Sequence, residues 1–102
     1  MSYSIVFREG AEHDFVKLDT SIRYQVIKKL ERLKDNPFLG QELGNKMGIN
    51  LTGFYKLYVA KKKIRIVYSV VEKKLVIEVI SIGKREKASA YKTAWIRKER
   101  KE

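Results

Sequence analysis

The sequence predicts a small α+β domain in which an antiparallel sheet carries a helical hairpin on one face and a short C-terminal helix follows. Two observations support this fold class: a stripe of apolar residues at helical spacing in the first third, and three consecutive strand-like segments in the second half. The chain has 102 residues, of which 44% are hydrophobic, enough for one core. We therefore expect a single domain spanning residues 1–102, with the order β-α-α-β-β-β-α.

The first two predicted elements are a strand and a short helix. Residues 3–7 are mostly β-branched or aromatic, which is typical of a strand, and Gly10 interrupts them. Residues 11–18 then place their apolar side chains at helical spacing. This pattern predicts a helix of about two turns.

The second helix is the clearest element of the chain. Its apolar stripe consists of Ile22, Val26, Leu30 and Leu33. Thr20 or Ser21 is available to cap its N-terminus. Asn36 precedes Pro37, and a residue before proline is pushed out of the helical conformation, so the helix should end there. We expect the two helices to form a hairpin that packs on the sheet.

The second half predicts a meander of three antiparallel strands. Residues 38–52 are rich in glycine and lack periodicity, so we expect an extended loop. The predicted strands are residues 54–60, 64–71 and 75–82. Residues 61–63 form a polar turn, and Gly83 should end the sheet. Residues 86–98 predict the last helix, whose apolar face would contain Ala88, Tyr91 and Trp95.

Composition restricts the classes of function. The chain has 23 Lys and Arg residues against 12 Asp and Glu, a formal charge of +11, which produces a positive surface that attracts nucleic acid, anionic membrane or acidic protein. A merely soluble basic surface is the alternative. The absence of cysteine fits a cytoplasmic protein without disulfides or thiolate metal sites. The only histidine, His13, has no companions with ligand spacing, so we expect no metal and no cofactor.

The apolar stretches are also too short for a membrane protein. They are strand-sized, well below the roughly 20 residues that a membrane-spanning helix requires. The N-terminus lacks the basic region and long apolar run of a signal peptide. We therefore expect no membrane association.

Basic residues interrupt the apolar pattern of all three predicted strands. They are Lys56, Arg65, Lys84 and Arg85, and Tyr91 follows shortly afterwards. If residues 61–62 form the turn, Tyr58 lies opposite Arg65, and both share a face with Lys56. A slip of one residue would bury Arg65 in the core, which is energetically prohibitive. Cationic side chains with a nearby aromatic ring suit a substrate with a phosphate backbone.

This set of residues could cleave RNA without a metal. Attack of the 2′-hydroxyl on phosphorus needs a base and charge stabilisation, and a lysine crowded by arginines has a lowered pKa and could serve as base. Each residue also has a structural interpretation. Lys56 could be a solvated strand residue, and Arg65 could pair with Glu78 or a terminal carboxylate. Lys84 and Arg85 could cap the edge of the sheet, and Tyr91 could belong to the core. We expect Glu78 itself to be a structural, salt-bridging residue.

The order of these features resembles the RelE/ParE superfamily of bacterial toxins, and more closely its RelE branch. The segments that carry the resemblance are residues 55–57 (Tyr-Lys-Leu), 64–68 (Ile-Arg-Ile-Val-Tyr) and 79–86 (Val-Ile-Ser-Ile-Gly-Lys-Arg-Glu), followed by Tyr91. RelE-like toxins are mRNA interferases that cut messenger RNA in the ribosomal A site, and each is inhibited by a cognate antitoxin. The resemblance therefore implies a ribosome-dependent endoribonuclease of a type II toxin–antitoxin system.

The resemblance also implies roles for particular residues. By position, Lys56, Arg65, Arg85 and Tyr91 match the active-site residues of the family. Lys56 would act as base or charge stabiliser, the two arginines would hold the scissile phosphate, and Tyr91 would orient or stack a base. The substrate-binding candidates are Tyr58, Lys84, Lys87, Lys61, Lys62 and Lys63. The family often has a second lysine where this chain has Tyr58, and often an arginine where it has Lys87.

The expected partners are the ribosome, messenger RNA and an antitoxin. Lys28, Lys29, Arg32 and Lys34 of the second helix, together with the turn at residues 61–63, would dock on ribosomal RNA. A cognate antitoxin would fold onto the domain, and the complex could bind operator DNA. Two alternatives remain open: a ParE-like toxin that binds DNA gyrase without nuclease activity, and an inactive module that acts with its antitoxin as a transcriptional repressor.

Overall fold

A five-stranded sheet organises the fold in the computed structural model, which describes residues 2–46, 48–84 and 89–99. The helices are α1 (Ala11–Val16), α2 (Thr20–Asp35) and α3 (Ser89–Glu99). The strands are β1 (Ser4–Phe7), β2 (Gln41–Glu42), β3 (Asn45–Lys46), β4 (Ile49–Asn50), β5 (Phe54–Val59), β6 (Ile64–Val71) and β7 (Val76–Lys84). The α+β class and the predicted order of the main elements are confirmed.

The sheet has the strand order β1-β7-β6-β5-β2, and one of its pairings differs from the prediction. Strands β5, β6 and β7 form the expected antiparallel meander. Strand β1, however, runs parallel to β7, so the sheet is mixed rather than wholly antiparallel. Alternation of apolar and polar residues determines which face a side chain occupies but not the direction of the neighbouring strand.

The glycine-rich segment between α2 and β5 contains more structure than the expected loop. Strand β2 pairs with β5 at the edge of the main sheet, and β3 pairs with β4 in a separate ribbon. Each of these strands has only two residues, too few to show the alternation that predicts a strand. The expectation that Gly83 ends the sheet was also wrong, because β7 continues to Lys84.

The helical hairpin of α1 and α2 packs on one face of the sheet, as predicted. Val26, Leu30 and Leu33 of α2 are buried in a core that includes Ile66 and Ile77 of the sheet. Helix α2 ends at Asp35, before Pro37, as predicted. Its N-cap position is held by Asp19, so Thr20 and Ser21 lie inside the helix and do not cap it. The stripe read from the sequence is therefore the buried face of this helix.

Helix α3 covers part of the opposite face and forms a second core there. Tyr91 and Ala94 are buried against Val67 and Ile80, whereas Trp95 is 40% exposed. The predicted pairing of Tyr91 with Trp95 on one apolar face was therefore wrong. The buried residues are three positions apart rather than four, and Ala88 lies outside the described residues. Among the described residues, no helix is long and apolar enough to cross a membrane.

An ion pair between Asp14 and Arg97 holds α3 against α1 and β7. Arg97 Nη1 lies 2.9 Å from Asp14 Oδ2, and the same carboxylate oxygen accepts a hydrogen bond of 3.0 Å from the backbone N–H of Ile82. Arg97 also donates to the backbone carbonyl of Ile80. The side chains of Asp14 and Arg97 are only 18% and 13% exposed, so water weakens this ion pair less than it weakens a pair on the surface.

We expect Asp14→Asn to lower the free energy of unfolding by about 1–3 kcal/mol, because a partly buried charge-assisted hydrogen bond is weakened. Urea denaturation measures the loss. Glu31→Gln is the control, since Glu31 pairs with Lys34 across an exposed turn of α2 and should change stability by less than about 0.5 kcal/mol. Equal effects of the two substitutions would show that the Asp14–Arg97 pair does not fasten α3.

Candidate active site

The pairing of β5 with β6 places Lys56, Tyr58 and Arg65 on one face of the sheet. Tyr58 lies directly opposite Arg65, and Val59 lies opposite Ile64. The alternate residues of these strands, including Ile64, pack into the hairpin core. The predicted register is therefore confirmed. Positive φ angles at Ala60, Lys61 and Lys62 produce the sharp turn that joins the two strands.

Arg65 is a buried cation on this face, and two of its nitrogens lack hydrogen bonds to the described residues. It is only 6% exposed, and its guanidinium carbon lies 3.8 Å from the centroid of the Tyr91 ring and 5.6 Å from that of Tyr58. Its Nε and Nη1 atoms are buried and make no hydrogen bond with the part of the chain that the structure describes. These two nitrogens have lost water without gaining a hydrogen bond from the described residues, which favours the binding of an anion.

Lys56 and Tyr58 form a hydrogen-bonded pair beside Arg65. Lys56 Nζ donates to the Tyr58 hydroxyl over 3.0 Å and lies 5.1 Å from the centroid of the Tyr58 ring. Burial alone would raise the pKa of Tyr58, but hydrogen bonds from Lys56 and Arg65, together with their positive charges, lower it to about 7. Tyr58 therefore loses its proton far more readily than an ordinary tyrosine.

The lowered pKa that we expected for a lysine of this cluster is not found at Lys56. Burial lowers the pKa of Lys56, but its hydrogen bonds to Tyr58 and Tyr91 outweigh burial, and the net pKa lies above the ordinary value. The expectation overlooked the two phenols, which favour the charged ammonium. Lys56 is therefore a stable cation near neutral pH, suited to charge stabilisation rather than to proton abstraction.

Tyr91 lies between the cationic cluster and the second core. It is 5% exposed, and one face of its ring is covered by the Arg65 guanidinium. A ring in this position is not available for stacking on a base, and it supports Arg65 instead. The core interpretation of Tyr91 is therefore correct, because α3 contributes the ring to the second core, and its contact with Arg65 places it beside the cationic cluster. A role for Tyr91 in catalysis stays a prediction.

The other sequence-predicted site residues lie farther along the sheet edge or cannot be placed. Lys61, Lys62 and Lys63 are exposed on the β5–β6 turn, and Lys84 is exposed at the end of β7. Arg85 and Lys87 lie outside the described residues. The cluster that the structure brings together therefore consists of Lys56, Tyr58, Arg65 and Tyr91.

A basic groove of about 460 Å³ lies between the β5–β6 turn and α2, and of the cluster only Tyr58 borders it. Tyr58 forms one wall, and Lys61 and Lys62 lie beside it. The α2 residues of the groove are Gln25, Lys28, Lys29 and Arg32. The sequence indicated that both segments are basic, but not that they form one groove. A helix periodicity shows which residues share its exposed face without showing what that face meets.

Glu78 has the structural role that the sequence predicted, and the single histidine lies on the surface. Glu78 pairs with Arg8 at 3.4 Å and accepts a hydrogen bond from Ser69. Its role as a salt-bridging residue is confirmed. His13 is exposed on α1. Within residues 2–46, 48–84 and 89–99, no group of three or more His, Cys, Asp or Glu side chains could hold a metal ion.

Comparison with known proteins identifies the family. Residues 5–88 match the family of ParE toxins of type II toxin–antitoxin systems. The chain is 34% identical to the mRNA interferase toxin RelE of Escherichia coli K12 over 94 residues, which cover 92% of this chain and 95% of that protein.

Two solved structures show the same fold. A doubly substituted form of E. coli toxin RelE in the free state is 31% identical, with a TM-score of 0.78 over 95% of this chain and 98% of that one. In the intact E. coli RelBE toxin–antitoxin complex, the matching chain is 32% identical, with a TM-score of 0.67 over 81% of this chain and 96% of that one. This chain therefore belongs to the RelE/ParE family of toxins of type II toxin–antitoxin systems.

Proposed function

We propose that this toxin is a ribosome-dependent mRNA interferase that cuts messenger RNA in the A site without a metal ion. The observation that carries the proposal is the buried guanidinium of Arg65, two of whose nitrogens make no hydrogen bond with the described residues. It shares a face of the sheet with a second cation, Lys56, and both cations contact the Tyr58 ring. Such a pair is suited to an oxyanion that gains charge during a reaction.

The reaction is an internal attack on the RNA backbone. The 2′-oxygen forms a bond to the adjacent phosphorus, the bond from phosphorus to the 5′-oxygen breaks, and a 2′,3′-cyclic phosphate and a 5′-hydroxyl result. Arg65 holds the non-bridging oxygens, aided by Arg85, and the Lys56 ammonium stabilises the charge that develops on phosphorane oxygens. Tyr91 keeps Arg65 in place through the ring contact of 3.8 Å.

Docking on the ribosome accounts for the remaining charge. The groove that Tyr58 borders is lined by Lys28, Lys29, Arg32, Lys61 and Lys62, and ribosomal RNA phosphates that bind there would release counterions. A cognate antitoxin would inhibit the toxin, by analogy with the RelB-bound relative. Its acidic and apolar residues would neutralise this face of the protein.

A second candidate function is a ParE-like toxin that binds DNA gyrase. The family match over residues 5–88 carries the ParE description, which favours this candidate. Gyrase binding needs no buried cation aimed at a phosphate, so the Arg65 cluster argues for the nuclease. Gyrase-dependent DNA breaks without mRNA cleavage would identify the ParE-like activity.

We expect Lys56→Ala to reduce mRNA cleavage by at least about 100-fold, because a cation that stabilises the transition state is lost. The measurement is a purified translation system with a defined mRNA, in which the RNA ends are mapped with and without ribosomes. Lys74→Ala is the matched control, since Lys74 is exposed in the turn between β6 and β7, at the opposite end of the sheet from the cluster.

Cuts at A-site codons that require ribosomes and that Lys74→Ala retains would support the proposal. Intact mRNA at saturating wild-type toxin would contradict it. Wild-type cleavage that Lys56→Ala leaves unchanged would keep the nuclease but remove Lys56 from its mechanism.

A further inference from the structure

The hydroxyl of Tyr58 lies where a proton acceptor for the RNA would be needed. It accepts a hydrogen bond of 3.0 Å from Lys56 Nζ, and the Arg65 guanidinium carbon lies 5.6 Å from the centroid of its ring. Tyr58 is partly exposed, and it is the residue of the cluster that borders the basic groove. Val59, the next residue of the strand, points the other way and is buried. A partly exposed phenol held between two cations is positioned for chemistry rather than for packing.

We propose that the Tyr58 phenolate is the general base that removes the proton from the attacking 2′-hydroxyl of the RNA. This inference rests on the proposed function and assigns a step within it. The 2′-hydroxyl proton moves to the Tyr58 oxygen as the 2′-oxygen bonds to phosphorus. The departing 5′-oxygen takes a proton from water. Tyr58 then releases its acquired proton to solvent and returns to the phenolate.

The charged groups around Tyr58 favour its phenolate form. Lys56 and Arg65 contact Tyr58 from the sheet, and Tyr91 of α3 interacts with Lys56. The charged groups in the groove are Lys28, Lys29 and Arg32 of α2 with Lys61 and Lys62 of the turn. All of these charged groups are positive. The two that lower the pKa of Tyr58 to about 7, against the effect of burial, are Lys56 and Arg65. Lys56, which retains its proton, is a poor base by the same argument.

The ionisation of Tyr58 can be measured without any RNA. The ultraviolet absorbance of tyrosinate, followed while the pH rises, should show one of the six tyrosines ionising at a pH of about 7 in the wild type. Tyr58→Phe should lack that transition. Tyr24→Phe should retain it, because Tyr24 is an exposed residue of α2 outside the groove. Identical titrations of wild type and Tyr58→Phe would overturn the inference.

Cleavage on ribosomes under single-turnover conditions tests the step itself. Tyr58→Phe should cut about 100-fold or more slowly than the wild type, the usual contribution of a general base. The wild-type rate should rise with pH and level off above about 7, and the residual Tyr58→Phe rate should lack this inflection. Tyr58→Lys should restore part of the rate, with its inflection at a different pH. Thermal unfolding of Tyr58→Phe checks that the variant is folded.

The outcomes separate this inference from the proposed function. Tyr58→Phe that cuts at the wild-type rate, while Lys56→Ala does not cut, would overturn the role of Tyr58 and leave the nuclease intact. Wild-type toxin that cuts no mRNA would overturn both. A slow Tyr58→Phe with an unchanged pH profile would assign Tyr58 to substrate positioning and would also overturn the inference.

Discussion

Arg65→Met is expected to abolish mRNA cleavage while making the folded protein equally stable or more stable than the wild type. The Arg65 side chain is 6% exposed, and its Nε and Nη1 are buried without a hydrogen bond to the described residues. Desolvation of an ion costs several kcal/mol, and a cation–π contact returns only about 2 kcal/mol when it is buried. Methionine has a similar reach, no charge, and a sulfur that packs well against the Tyr91 ring.

The stability change should be a gain of about 0–2 kcal/mol in the free energy of unfolding by urea denaturation. Cleavage should fall by at least about 100-fold, as expected for the loss of a donor to the transition state. Arg8→Met is the matched control. Arg8 pairs with Glu78 at 3.4 Å, so its loss should lower stability by leaving a carboxylate without that partner.

A loss of more than about 2 kcal/mol in Arg65→Met would contradict this expectation. It would mean that the guanidinium stabilises the second core through its contact with Tyr91. It would also mean that the missing hydrogen bonds at Nε and Nη1 cost little stability. Unchanged cleavage in a folded Arg65→Met would exclude Arg65 from the reaction. The expectation is therefore that Arg65→Met lowers activity without lowering stability.

The elements that the sequence predicted correctly are those with a long periodic pattern. Helix α2 shows its buried stripe over several turns, and β5 and β6 have one register that keeps Arg65 out of the hairpin core. Strands β2, β3 and β4 have two residues each, too few for a period. The parallel direction of β1 follows from where the helical hairpin returns the chain, which no local pattern encodes.

The composition of the candidate site was predictable from strand alternation, but its protonation was not. Alternation places Lys56, Tyr58 and Arg65 on one face, as the structure confirms. The pKa of Tyr58 depends on the distance of 3.0 Å from Lys56 Nζ to its hydroxyl, and on how both are buried. The sequence shows which ionisable residues are neighbours but not which of them are hydrogen-bonded to each other. We therefore expected a lysine, rather than Tyr58, to act as base.

Gly40→Ala is expected to destabilise the protein strongly, because the added methyl group would meet two atoms that cannot move away. A Cβ at Gly40 would lie 2.5 Å from the carbonyl oxygen of Lys56 and 2.6 Å from the Tyr68 hydroxyl. The first atom belongs to the backbone of β5. The second is fully buried, accepts a hydrogen bond of 2.8 Å from Gly40 N–H and donates one of 3.0 Å to the Pro37 carbonyl.

The expected loss is about 2–5 kcal/mol in the free energy of unfolding, from overpacking together with the weakening of two buried hydrogen bonds. For a domain of this size, each kcal/mol lowers the melting temperature by about 4–8 °C. Gly44→Ala is the control, since nothing lies within 4 Å of a Cβ built there. It should change stability by less than about 0.5 kcal/mol.

The same contact connects stability with the site. Relief of the clash requires β5 to move at Lys56, the residue whose ammonium holds Tyr58, so folded Gly40→Ala should also cut mRNA more slowly than Gly44→Ala. Displacement of the Lys56 backbone should weaken that hydrogen bond and raise the pKa of Tyr58 from about 7 toward its ordinary value. A Gly40→Ala variant as stable and active as Gly44→Ala would show that β5 accommodates the methyl group, and that the tight packing beneath Lys56 does not position the site.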